Sequence, residues 1–209
     1  TAGQVLQMNS GATAPEYGTV SSDYVKLHTI SHTGSNISSY TFDGYFNDTI
    51  YSHYKLIGYH KIANNQSGSG NPYSIVRYNV NGSENSDTDY NWNWNAAYFS
   101  GSAGQQYRAA ANDSKVRLLN TWNESGGHPY NPFVYDFTIY YPQSTSFKCH
   151  TTFTSSNSWA SNVIASGTGG FINESSNTSA STLVTGMTFR YESGIQFDTV
   201  SSTLYGVKK

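Results

Sequence analysis

The sequence is short of cysteine, of charge and of long apolar runs. One cysteine, Cys149, occurs among the 209 residues, so the chain cannot form an internal disulfide, and we predict that this thiol is a small buried strand residue. Charged residues make up 11% of the chain, its formal net charge is −2, and no cluster of lysine and arginine could neutralise a phosphate backbone. No apolar run approaches the roughly 20 residues of a membrane helix. These shortages predict a chain that neither binds nucleic acid nor inserts into a membrane.

The length suits one large domain. β-Sandwiches often extend over about 200–250 residues as a single domain. A domain of this size buries roughly 70% of the surface that its unfolded chain exposes, so it can fold without disulfides. No linker-like segment divides the sequence. We therefore predict a single domain over residues 1–209, with residues 1–20 as an N-terminal arm or attachment segment.

Strand signals are frequent, whereas helical periodicity is almost absent. Clusters of glycine, serine and asparagine, such as those at 64–72 and 81–87, separate the apolar runs. About a dozen strands at this spacing, without a clean internal repeat, favour an all-β fold over a propeller or a solenoid. The predicted fold is a single jelly-roll-like antiparallel β-sandwich. The strand-like runs are 3–8, 23–30, 52–62, 73–80, 90–99, 133–141, 146–153, 159–165, 169–175, 185–192 and 202–208.

Residues 23–30 give a sharper local prediction. Their apolar and polar residues alternate with a period of two, which is typical of a half-buried strand. This alternation places Val25 and Leu27 on one face, and Lys26 and His28 on the other. Tyr24 and Ile30 bracket the second face, so that face is not purely polar.

A second local prediction concerns residues 106–120, where two strand-like runs flank a turn signal. The runs are QYRAA and KVRLLN, and Asn112 and Asp113 between them form a pair that favours tight turns. Three alanines give the segment weak helical character, but the turn favours strands. We therefore expect the two runs to pair as a hairpin.

The polar surface is mostly neutral, since serine, threonine, asparagine, glycine and tyrosine outnumber charged residues. Tyrosine is unusually common, with 18 copies. Tyrosine fits a half-buried pleated surface. It is also enriched in interfaces, because it covers a large area at a low cost in side-chain entropy. This composition predicts a chain built for assembly and surface contact.

Trp92 and Trp94 lie two apart in the run NWNWN, so on a strand both indoles share one face and the asparagines share the other. One interpretation is a sugar-stacking platform or a protein interface, with Asn93 among the hydrogen-bonding groups nearby. The other is a buried pair in the sandwich core, which the large area of two indoles favours. His128 and Tyr130, in the loop GGHPYNPF, are further candidate contacts for a glycan or a partner.

No complete metal or catalytic motif is present, and we predict no cofactor and no enzymatic activity. Asp87 and Asp89, with Glu84, form an acidic loop whose oxygens could hold calcium. The loop lacks the full calcium-binding spacing, and aspartates are ordinary turn residues. The six histidines show no ligand spacing, and no nucleophile elbow or phosphate loop occurs. A glycosidase needs a close carboxylate pair, and spacing selects none among Asp43, Asp48, Asp136 and Glu192.

Four segments, in order along the chain, carry a family resemblance. The opening AGQVLQ (2–7) is similar to GKVLQ, and FDGYFNDTIYSHYKLIGYHKI (42–62) is similar to a strand pair containing YDNYKLV. RYNVNGSENSDTDYN (77–91) fits a strand–turn–strand pattern, and YESGIQFDTVSSTLYGVKK (191–209) is similar to closing strands of the form sGtvsLYGIK. Together they resemble bacteriophage virion proteins of the tail-fibre, head-fibre and capsid-decoration group. The resemblance implies a jelly-roll-like sandwich, often a trimer, and no catalytic residues, because the shared motifs are structural.

Three functions remain open at this point. The first is a structural component of a phage virion, a fibre or capsid-decoration protein on the particle surface that contacts other virion proteins and forms a homo-oligomer, with a trimer favoured. The second is a carbohydrate-binding module of a phage tail that recognises a host surface glycan. The third is a polysaccharide hydrolase, which would need a carboxylate pair in a cleft.

Overall fold

A computed structural model of the chain describes residues 4–8, 11, 13–19, 23–63, 73–88, 90–100, 102–120, 132–159, 163–173 and 183–209. Strands account for most of these residues, and the one helical element among them is a 3₁₀ turn at Glu192–Gly194. Nothing in the described ranges is therefore a helix able to cross a membrane. The strands are β1 (Gln4–Met8), β2 (Pro15–Thr19), β3 (Tyr24–Ile37), β4 (Ser39–Asp43), β5 (Tyr51–Ile62), β6 (Tyr73–Val80), β7 (Ser83–Glu84), β8 (Tyr90–Ser100), β9 (Ser102–Asp113), β10 (Val116–Asn120), β11 (Phe133–Tyr140), β12 (His150–Trp159), β13 (Val163–Asn173), β14 (Val184–Tyr191) and β15 (Phe197–Lys208).

The strands form a larger and a smaller antiparallel sheet, together with a separate pair. The larger sheet has eight strands in the order β3-β15-β5-β11-β12-β13-β8-β9. The smaller sheet has the order β10-β6-β14-β4, and β7 pairs with the end of β6. Strands β1 and β2 pair with each other, within the segment predicted as an N-terminal arm. The prediction of an all-β antiparallel sandwich is confirmed.

The core lies between the inner faces of the two sheets. Strand β11 shows the alternation most clearly, because Phe133, Tyr135, Phe137 and Ile139 are buried while the residues between them are more exposed. From the smaller sheet, Phe189 stacks on Tyr135 with ring centroids 5.3 Å apart. Burial of these large side chains is the dominant stabilising contribution, and their ring contacts add to it.

A chain of hydrogen bonds crosses this core. The Tyr40 hydroxyl lies 2.8 Å from both His60 Nδ1 and the Tyr135 hydroxyl, and Tyr135 also bonds to Ser202. One donor order satisfies all three bonds: Ser202 donates to Tyr135, Tyr135 to Tyr40, and Tyr40 to the neutral imidazole. Burial lowers the pKa of His60 to about 3, because a charged imidazolium in this core would not be hydrated.

Gly58 lies between Tyr135 and Ser202 in the sheet, and a Cβ at this position would overlap the Ser202 hydroxyl.

Strand β3 departs from the predicted period of two. In its pairing with β15, Leu204 lies opposite His28 and the next residue, Tyr205, lies opposite Lys26. Leu27 is therefore an extra residue in β3, and such a bulge exchanges the faces of the strand beyond it. His28 is half-buried whereas Lys26 is exposed, so the prediction that these two side chains share a face is wrong.

The predicted hairpin within residues 106–120 is also wrong, although both runs are strands. β9 pairs with β8 in the larger sheet, whereas β10 pairs with β6 in the smaller one. Asn112 has a φ of 54°, so the chain does bend where the turn signal lies. Val116 and Leu118 are fully buried in the core. That burial depends on long-range packing, which selects the partner of β10 against the local hairpin.

Candidate assembly surface

The two tryptophans lie in the core rather than on a surface. Trp92 and Trp94 are 5% and 1% exposed, and the Trp94 indole N–H donates to the Arg117 carbonyl oxygen, 3.0 Å away. Neither indole can stack on a sugar or contact a partner, so a contact role for them is wrong. The buried aromatic pair is the correct interpretation, because two indoles remove a large apolar area from water. Asn93 lies on the opposite face of β8 and is exposed.

The acidic loop after β7 offers little for calcium. Asp87 is exposed, and the Glu84 carboxylate is held by Arg77 at 2.8 Å and Arg190 at 2.7 Å. These two guanidinium groups already neutralise the carboxylate. Among the described residues, no cluster of three or more histidine, cysteine, aspartate or glutamate side chains could hold a metal ion. Three of the sequence candidates lie outside the described residues: His128, Tyr130 and Asp89.

Three of the four carboxylates considered for a hydrolase have partners. Asp136 pairs with Lys55 on the outside of the larger sheet, at 2.7 Å. Glu192 pairs with one lysine and one arginine, at 3.2 and 2.9 Å. Asp48 accepts a hydrogen bond from the Tyr54 hydroxyl at 3.2 Å. The remaining carboxylate, Asp43, ends β4.

The thiol of Cys149 is buried, as the sequence predicted, but the residue directly precedes β12 and is not part of a strand. Burial raises its pKa to about 12, because removal from water disfavours the thiolate. The thiol is therefore protonated at neutral pH, and it packs as a small apolar side chain rather than acting as a nucleophile.

The outer face of the larger sheet is the candidate functional surface. Across β3, β15, β5, β11 and β12 its side chains form rows that run from strand to strand, and most of them are serine or threonine. Hydroxyls of this kind offer hydrogen bonds without charge. One row is Ser31, Ser201, Tyr59, Val134 and Ser156. The next row is Thr29, Thr203, Ile57, Asp136 and Thr154.

Three large apolar side chains interrupt these rows at the centre of the face. Ile57, Tyr59 and Val134 are 46%, 36% and 45% exposed, and we call them the apolar patch. Ile57 and Tyr59 are two apart on β5, and Val134 of β11 lies directly opposite Tyr59, so the three are contiguous. Lys55 and Asp136 border the patch and neutralise each other. The patch thus lies on interior strands, within a hydroxyl-rich surround.

The outer face of the smaller sheet has a different character. It carries two charge networks: Glu84 between Arg77 and Arg190, and Glu192 between Lys115 and Arg117. Such networks of long charged side chains suit contact with water, and each pair contributes modestly to stability. The two faces therefore differ in kind, and the larger sheet presents the surface better suited to burial against a partner.

No family model matches the chain. Comparisons with curated proteins and with solved structures also found no match.

The apolar patch was not among the predicted contacts, although the sequence holds a signal for it. Strand β5 contains apolar residues on both faces, because Leu56 is buried while its neighbour Ile57 is exposed. Because side chains alternate along a strand, Tyr54, Leu56 and His60 fall on the inner face of β5, and Ile57 and Tyr59 fall on its outer face. Sequence alone cannot show that the partner strands leave these two uncovered, since that depends on pairing with β11 and β15.

Proposed function

We propose that this chain is a structural subunit that assembles through the outer face of its larger sheet, as a fibre or capsid-decoration protein of a bacteriophage particle. The observation that carries the proposal is the apolar patch of Ile57, Tyr59 and Val134 at the centre of that face. Contiguous exposed apolar surface is typical of interaction sites. The surrounding hydroxyls suit the polar rim of an interface, where direct and water-mediated hydrogen bonds are common.

The pairing of the charges beside the patch limits the cost of burying it against protein. Lys55 and Asp136 pair at 2.7 Å. When a partner covers these two side chains, neither charge is therefore buried without an opposite charge beside it. Each Å² of apolar surface removed from water contributes roughly 25 cal/mol. Tyr59 adds area at a small entropy cost, because its side chain has two rotatable bonds.

The virion part of the proposal depends on the resemblance carried by segments 2–7, 42–62, 77–91 and 191–209. Two of these segments meet in space: β5 and β15 pair along almost their whole length, as the third and second strands of the larger sheet, next to its edge strand β3. The motifs that carry the resemblance therefore build the same sheet face as the apolar patch, which supports a shared role in assembly. A trimer on the particle surface, in contact with other virion proteins, is the assembly we favour.

The Ile57→Asp variant tests the proposal, because a carboxylate at the centre of the patch would have to lose its water on assembly. We expect this variant to dissociate at least about 30-fold more readily than the wild-type protein. Sedimentation velocity over a concentration series measures the effect, and circular dichroism checks that the fold is retained. Ile50→Asp is the matched control, because Ile50 has a similar exposure of 50% but lies in a turn before β5. Equal behaviour of the two variants would contradict an interface on the outer face.

A further inference from the structure

Five aromatic rings form a continuous strip at one end of the outer face. Tyr140 is central: its ring centroid lies 5.6 Å from that of His53 on β5 and 5.9 Å from that of His150 on β12. The strip continues to Tyr141 at 6.3 Å, and from Tyr141 to Phe147 at 5.0 Å. Tyr141 and Phe147 are 47% and 62% exposed. We call these five residues the aromatic strip, and it is distinct from the apolar patch.

The loop between β11 and β12 holds the outer two rings in place at an energetic cost. Tyr141 has a φ of 56°, in the left-handed region that bulky residues rarely occupy. Such strain persists where the surrounding structure enforces it, and it is concentrated at binding sites. Here the Pro142 carbonyl accepts a hydrogen bond from the Val184 N–H at 2.9 Å, and the Ser144 hydroxyl accepts one from the Phe147 N–H at 3.0 Å. These bonds fix the segment that follows Tyr141, and the loop presents two large rings to solvent.

We infer that the aromatic strip binds a neutral polysaccharide, with pyranose rings stacked on Tyr141 and Phe147. The C–H groups on one side of a pyranose form an apolar surface that packs on an aromatic face, and its ring hydroxyls need hydrogen-bond partners at the edge. The Tyr140 hydroxyl and the His53 imidazole supply polar atoms at the edge of the strip. The Ser52 hydroxyl lies 2.9 Å from His53 Nδ1 and orients that ring. This binding role goes beyond the proposed assembly role and does not depend on it.

The charges near the strip favour a neutral ligand. Lys148 is the one charged residue in segment 141–149. Partial burial lowers the pKa of His53, and Lys55 adds to this effect, so the ring is neutral at pH 7. A platform for single-stranded nucleic acid combines stacked rings with a cationic groove, whereas this chain has a net charge of −2.

Affinity electrophoresis through gels containing dextran, mannan, laminarin or pullulan tests this inference. We expect at least one of these neutral polysaccharides to retard the wild-type protein. Tyr141→Asn should weaken the retarding interaction by about tenfold, because asparagine tolerates the left-handed conformation but removes the ring. Phe147→Ala should weaken it by a similar factor, whereas Phe147→Tyr keeps the ring and should retain binding.

The matched control is Tyr107→Ala, because Tyr107 is 64% exposed on β9 and lies outside the strip. This variant should bind as the wild type does. Failure of all four polysaccharides to retard the protein would overturn the inference, as would retardation that is unchanged in Tyr141→Asn and Phe147→Ala. Salt-sensitive binding of a single-stranded oligothymidine at the strip would show a nucleic-acid platform instead. A loss of oligomers in these variants, without loss of glycan binding, would place the strip in a protein interface.

Discussion

Replacing Trp94 with alanine will lower the free energy of unfolding by about 3–5 kcal/mol, the range found when a buried aromatic side chain is truncated. The indole is 1% exposed, so its removal leaves a cavity that the two sheets can close only in part. The substitution also removes the indole N–H that donates to the Arg117 carbonyl, 3.0 Å away. Because β8 belongs to the larger sheet and β10 to the smaller, this bond and the packing around it join the two layers. Urea denaturation followed by circular dichroism measures the change.

The neighbouring residue supplies the control for this prediction. Asn93 lies on the opposite face of β8 and is exposed, so Asn93→Ala should change stability by less than about 0.5 kcal/mol. A large loss in Asn93→Ala together with a small loss in Trp94→Ala would mean that the faces of β8 are reversed. In that event the indoles would again be candidates for surface contact.

Lowering the pH from 7 to 4 will destabilise the fold by about 3 kcal/mol through His60 alone. The pKa of this imidazole is about 3 in the folded chain, because burial disfavours the charged ring, against an ordinary value of 6.5. Between these two values the unfolded state binds more protons, so stability falls as the pH falls. The contribution is fully present above pH 6.5 and is lost progressively as the pH approaches 3. Protonation would also prevent Nδ1 from accepting the Tyr40 hydroxyl proton.

The His60→Phe variant separates this effect from the general acid sensitivity of the fold. A phenyl ring fits between Phe133 and Phe197, whose ring centroids lie 5.0 and 4.9 Å from that of His60, while Tyr40 keeps its bond to Tyr135. We expect the stability of the variant to decline less steeply between pH 6.5 and 4. Urea unfolding at a series of pH values measures the slope. An identical slope in the two proteins would show that His60 is not the group responsible.

Local patterns were sufficient where a strand is flanked by turn residues. The run 73–80 was predicted with the bounds that β6 has, because an asparagine- and glycine-rich cluster precedes it and Asn81 and Gly82 follow it. Those two residues have φ values of 50° and 79°, as a tight two-residue turn requires. The burial of Cys149 likewise follows from its residue type.

Long-range pairing could not be derived in this way. The closing strand β15 lies between β3 and β5 from the first half of the chain, and no local pattern determines that order. The bulge at Leu27 depends on that pairing too, since it is defined by the residues of β15 opposite it. The apolar patch and the aromatic strip each join side chains of different strands or loops, so both emerge only when the sheet has formed. For the same reason, the sequence does not show that the Tyr40 hydroxyl is the hydrogen-bond partner of His60, since these residues lie on strands of different sheets.

The molar mass of the wild-type protein, measured by light scattering during size-exclusion chromatography, tests the assembly proposal most directly. A chain of 23.0 kDa that buries its apolar patch against other copies should elute as a stable oligomer, and we expect a mass near three times that value. The oligomer should be lost in Ile57→Asp and kept in Ile50→Asp. A wild-type protein that remains at 23.0 kDa over the whole concentration series would contradict self-assembly through the outer face of the larger sheet.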